Sequence, residues 1–224
     1  MNYLAHFVSD YRPAHPCFNI GLMLPDLLRS SSPAWRLERR LPSNPPPRVA
    51  DFYAGIDQHL RRDRHFHGLS LFRRQASWLR IRLSLEAHLP DRYLFFLAHI
   101  WFELALDRYI VRHYPQWVER LYQDWASPSW VRWGRFLLSL QAQSPRDDAR
   151  LLRRFGEEQF LWHYLQNQRL RGILEAVSRR VGLSFFGELS QTEFDHLAGE
   201  VDERLAALLR DRTVLAELSL ESLR

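Results

Sequence analysis

The chain has one cysteine, Cys17, and no lysine among its 31 basic residues. A single cysteine excludes an internal disulfide and a multi-cysteine zinc site. No apolar run reaches the length of about eighteen residues that a bilayer-spanning helix needs. The start, "MNYLAHFVSDYRPAHP", lacks a basic leader segment and meets His6 early, so no secretory signal is expected and the cytoplasm is the expected compartment. Also missing are H-E-x-x-H, C-x-x-C, the phosphate-binding G-x-x-x-x-G-K-[ST] and the G-x-S-x-G elbow. A ferritin-like centre would need E-x-x-H on two helices, and the sequence does not supply the pair.

What is there is globular in composition, with 46% hydrophobic and 25% charged residues over 224 positions. That is enough chain for one well-filled core. The net charge of +5 and an isoelectric point near 9.8 favour an acidic partner: nucleic acid, an anionic protein or an anionic lipid surface. Arginine as the only basic residue reads as coding bias rather than a guanidinium-specific role, because the two cations differ mainly at bidentate or stacked sites.

A 3.6-residue apolar period dominates and no alternating strand is evident, which predicts a single all-α domain over 1–224. "PCFNIGLMLPDLLR" reads as a short helix broken near Pro25. Further helices are expected over 49–66, 68–87, 92–113, 116–125, 128–142, 146–166, 167–181 and 191–211. Ser190 followed by Glu193 has the spacing of a capping box. The proline- and serine-rich stretch 30–48 is either a surface excursion or a lid over a site. Trp130, Arg132 and Trp133 offer aromatic and basic groups of the kind that bind nucleic acid, but no recognised module, and the two tryptophans read as packing.

The chemistry concentrates in two places. "LFFLAHIWFELALDRYIVRH" is apolar nearly all round and therefore buried, yet it carries His99, Glu103 and Asp107 at four-residue steps along one stripe. Burying an imidazole and two carboxylates costs several kcal/mol unless they pair or bind a cation. In "GIDQHLRRDRHFH", His59 and Asp63 are also four apart and share a helix face. The two faces together would supply nitrogen and oxygen ligands suited to Mn, Fe, Zn or Mg. Simple His–carboxylate hydrogen bonds are the alternative for each pair, and His65 and His67 are expected at the helix end or facing solvent.

Four segments occur in a familiar order: "MNYLAH", "GLMLPDLLR", "GIDQHLRRD" and "ELALDRYIVRHYPQW". Over about residues 1–117 the chain resembles the acyl carrier protein phosphodiesterase (holo-ACP hydrolase) family, a divergent helical branch of the HD phosphohydrolases. That family reads M-N-[FY]-L-A-H, G-N-x-x-x-D, G-I-x-x-H-R-x-I-D and D-x-x-x-D-H-F-L. Asn2, His6, Gly21, Asp26, Gly55, Ile56, His59 and Asp63 match, and Glu103 and Asp107 take the places of the later acids. Leu22, Leu60, Arg62 and Arg108 depart from the pattern, and Arg108 stands where the family has histidine. A shifted register would align His99 and Glu103 with those acids instead.

The resemblance implies an HD-like helical bundle and a divalent metal, manganese first and Fe, Mg or Zn after it. It also implies hydrolysis of the phosphodiester that joins 4′-phosphopantetheine to a carrier-protein serine. It places Asp26, His59, Asp63 and Asp107 as ligands, with His6, His99 and Glu103 in or near the shell. Asp63 also falls among the catalytic residues, with Arg61 or Arg62 stabilising phosphoryl charge. Acyl carrier protein, being acidic, is then the expected partner. Two other readings remain open: a metal-dependent hydrolase of a nucleotide or small phosphoester, and a non-catalytic basic module for an acidic protein or RNA. A purely structural polar network along the stripe is the plainest account.

Overall fold

A computed structural model of the chain describes residues 3–31, 44–86, 91–128, 130, 145–180, 182 and 189–223. Among them the fold is all-α, with no strand. The sequence's expectations for residues 32–43 of the proline-rich segment, for most of the helix over 128–142, and for Asn2, Arg132 and Trp133 lie outside the described residues. No described helix is long and apolar enough to cross a membrane.

Proline sets several starts, because its fixed φ suits a first helical turn whose N–H needs no intrahelical partner. After α1 (Tyr3–Asp10), α2 (Pro16–Gly21) opens on Pro16, and α4 (Pro47–Gly68) opens on the last of three consecutive prolines. Helix α7 (Pro115–Trp125) opens on the proline that ends α6 (Asp91–His113), and α8 (Pro145–Glu158) opens on Pro145. Pro25 behaves the same way. It lies in the first turn of α3 (Leu24–Ser31), so the break falls at Leu22 and Met23 rather than at the proline itself. The helix expected over 146–166 also divides: Gln159 takes a positive φ of 44°, α8 stops at Glu158, and Phe160–Leu165 continues as a 3-10 turn.

The chain forms two compact units. The first comprises Asn2–Arg64 and Pro115–Phe160. Helix α2 packs there on α1, α3 and α7, and α3 packs on α8. Its aromatic core joins Phe155 to Tyr3, Tyr122 and Trp125, with centroids 4.7–6.1 Å apart. Trp130 is buried and stacks on Phe52, which bears out the packing role expected of it.

The second unit comprises His65–Tyr114 and Leu161–Arg224. Helix α6 is its centre, packed on α5 (Ser70–Glu86), α9 (Asn167–Arg180) and α10 (Gln191–Leu208). The all-round apolar surface of α6 explains that position. Leu97, Trp101, Leu104, Ile110 and Val111 are all buried, and Trp101 stacks on Phe194 of α10. The short α11 (Arg212–Glu217), capped by Asp211, is an element the sequence pattern did not predict.

Ser190 caps α10 as its spacing predicts. Its hydroxyl accepts from the Glu193 N–H at 3.2 Å, and the Glu193 carboxylate accepts from the Ser190 N–H at 2.7 Å. Replacing Ser190 with Ala should lower unfolding free energy by about 1 kcal/mol, read as a shift in the urea midpoint at unchanged slope.

Candidate functional site

The site in the first unit begins with two glycines. A Cβ added to Gly55 of α4 would strike the Phe18 carbonyl oxygen, and one added to Gly21 of α2 would strike the Phe52 carbonyl oxygen. The two helices therefore meet backbone to backbone, which no side chain at either position allows. One turn beyond Gly55 on α4 stands His59, and one residue beyond Gly21 is the carbonyl of Leu22. They meet: His59 Nδ1 lies 2.7 Å from the Leu22 carbonyl oxygen. A carbonyl only accepts, so Nδ1 carries a proton, and in the neutral ring Nε2 presents its lone pair.

That nitrogen faces a polar group inside a buried setting. His59 is 2% exposed, and its Nε2 is 3.7 Å from Asp26 Oδ1, on the first turn of α3. The ring of His6, from α1, lies 4.2 Å from the His59 ring, centroid to centroid. Asp63 follows one turn after His59 on α4. Ligand atoms of His6, His59 and Asp63 all lie within 4.8 Å of one another, which is the reach of a single metal ion. The arginines nearby have their own partners. Arg62 grips Asp10 with both Nε and Nη2, at 2.8 and 3.1 Å, and the guanidinium of Arg61 donates to the Gln58 side chain at 2.7 and 3.1 Å.

The buried stripe of α6 belongs to the second unit. His99 and His67 both bring Nε2 to Glu103 Oε1, at 3.0 and 2.7 Å. These three form a second group of potential ligands. His67 sits at the end of α4, as expected, but it turns inward to a carboxylate, a role sequence reasoning missed. The signal was present: His59, Asp63 and His67 repeat at four-residue steps along α4. His65, also at that end, is exposed and its Nε2 meets the Glu217 carbonyl at 3.3 Å. Asp107 is fully buried and belongs to neither three-residue group.

Glu103 is 2% exposed. Burial pushes its carboxyl up, but surrounding positive charge and the hydrogen bonds to His67 and His99 outweigh that and hold it well below the usual glutamate range. Arg108 has a packing role of its own. It is buried, its Nη2 lies 3.2 Å from Asp202 of α10, and its Nε and Nη1 have no hydrogen-bond partner among the described residues. Burial lowers its pKa while Asp202 opposes that shift. The side chain thus links α6 to α10 and has no lone pair to offer a metal.

No family model, curated protein or solved structure matches the chain.

Two outcomes follow from these contacts. Gly55→Ala should destabilise the protein by about 3 kcal/mol, as overpacking against backbone does. Gly68→Ala, where a Cβ meets nothing, should cost less than about 1 kcal/mol; paired urea melts make the comparison. Glu103 has a depressed folded pKa, so the stability it contributes is full above the ordinary value of 4.5 and is lost as pH falls through the lower folded value. In chelator-treated protein, Glu103→Gln should flatten that acid limb of the stability curve.

Proposed function

We propose that the protein is a divalent-metal-dependent phosphodiester hydrolase whose metal is held by His6, His59 and Asp63, with Asp26 beside them. One observation carries the reading: His59 is buried with Nδ1 committed to the Leu22 carbonyl, which leaves Nε2, 3.7 Å from Asp26, as its free ring nitrogen in the group formed with His6 and Asp63. Metal-binding histidines are held this way, the second ring nitrogen donating to a carbonyl or carboxylate that fixes tautomer and orientation. The family resemblance supports it from another direction, since its motif residues His6, Asp26, His59 and Asp63, far apart in sequence, are neighbours here.

Two imidazoles and a carboxylate form a mixed nitrogen and oxygen set that suits Mn or Fe, and also Zn. A bound divalent ion supplies Lewis acidity toward the phosphoryl oxygens and lowers the pKa of an attacking water. His6 and His59 would hold such an ion as neutral nitrogen donors and Asp63 as the charged one. Asp26, 3.7 Å from His59 Nε2, is positioned to order that water and take its proton. Water adds to phosphorus, the bond to the serine oxygen breaks, and that oxygen leaves as a hydroxyl with the proton Asp26 took from the water.

The substrate we propose is holo-acyl carrier protein, from which 4′-phosphopantetheine is released. The net charge of +5 favours its acidic surface. Arg61, exposed on α4 and held by the Gln58 side chain, is offered to that surface, whereas Arg62 is engaged by Asp10.

The test is metal content and turnover measured together. Protein purified without chelator should hold metal, Asp63→Ala should lose the ion held with His6 and His59, and release of the prosthetic group from holo-carrier protein should stop in excess chelator. Full-rate turnover by chelated protein, or undiminished activity in Asp63→Ala, would refute the mechanism. Turnover confined to small phosphoesters on a parallel panel would move the substrate to that class.

A further inference from the structure

The cluster on α6 shares no residue with the group assigned to hydrolysis, and its geometry is that of a binding site in its own right. His99 and Glu103 are one turn apart on α6, and His67 reaches them from the end of α4. Both imidazoles direct the same atom, Nε2, at the same carboxylate oxygen. In a tetrahedral zinc site with ligand bonds near 2.1 Å, neighbouring ligand atoms stand about 3.4 Å apart. The observed separations of 3.0 and 2.7 Å open to that spacing with shifts of about 0.4 and about 0.7 Å.

The surroundings hold the rings in place. The Phe72 ring packs against His99 at 4.8 Å and against His67 at 5.0 Å, and the two imidazoles lie 4.5 Å apart. The carboxylate is buried while the histidine side chains are 31% and 23% exposed, so the group is closed on its Glu103 side and open to solvent on the other. Three protein ligands with one open side is the arrangement that leaves a fourth position to water or an exogenous ligand.

We propose that His67, His99 and Glu103 form a second metal site, one that takes a zinc-class divalent ion and keeps one coordination position open to solvent. Two imidazoles and one carboxylate favour such an ion over Mg or Ca, which prefer oxygen ligands. The proposal makes a statement about ring protons. A carboxylate only accepts, so in the ion-free protein each Nε2 that bonds Glu103 carries a hydrogen. With the ion bound, both Nε2 atoms are ligands and the ring protons reside on Nδ1.

The experiment titrates zinc into chelator-stripped, full-length protein and into Asp63→Ala, which disables the other group. Asp63→Ala should still bind about one equivalent. Adding His99→Ala or His67→Ala to it should weaken that binding about a hundredfold or more. Histidine-selective nitrogen NMR of Asp63→Ala should show two rings change from Nε2–H to Nδ1–H on zinc addition. Failure of Asp63→Ala to bind zinc would overturn the proposal, as would unchanged affinity in both histidine variants. If a variant proves unfolded by circular dichroism, the NMR result on Asp63→Ala decides, and unchanged ring tautomers refute the site. Loss of zinc on His99→Ala with no metal lost on Asp63→Ala would keep this site and discard the hydrolytic one, so the two readings fail separately.

Discussion

The candidate hydrolytic site depends on how closely two helix backbones approach at Gly21 and Gly55. Side chains normally keep helix axes 8–10 Å apart, and removing both Cβ atoms lets the peptide groups themselves touch. Only then does the residue after Gly21 come within hydrogen-bonding distance of a side chain one turn beyond Gly55. The positions of His59 Nε2, Asp26 and Asp63 follow from that contact. A glycine-to-alanine change here would alter a donor set that it never touches.

The second unit solves a different problem, that of ionisable groups on its most apolar helix. For Glu103 and Arg108 the answer comes from a neighbouring element. Glu103 receives His67 from α4 as well as His99 from its own helix, and Arg108 takes Asp202 from α10. Breaking a buried pair costs more than the pair itself contributes, because the remaining charge is left without compensation. These groups therefore fix which elements can pack on α6 and in what rotation, as well as what chemistry its surface can support.

Features set by covalent geometry or by near neighbours were legible in the sequence. Pro47, Pro115 and Pro145 start helices because their φ is fixed, and Ser190 with Glu193 closes a capping box within four residues. The four-residue steps joining His59 to Asp63 and His99 to Glu103 were equally plain. What escaped depends on residues far apart or on backbone states without a sequence mark. Nothing at Gln159 signals a positive φ, and Pro25 reads as a break until its place in a first turn is known. His67 was assigned to the helix end because its partner Glu103 lies 36 residues away, and the grip of Arg62 on Asp10 crosses 52. His6 and Asp26 entered only through the family resemblance, since no local spacing ties either of them to His59.

The hydrogen bond that orients His59 ends on a peptide oxygen, which every amino acid at position 22 supplies alike. A leucine there serves as well as an asparagine, provided that the chain keeps its course between α2 and α3. The orientation of this ring is thus heritable through the path of the main chain and insensitive to point substitution at its own partner. Sequence drift can erase a recognisable motif letter at such a place while leaving the imidazole aimed as before.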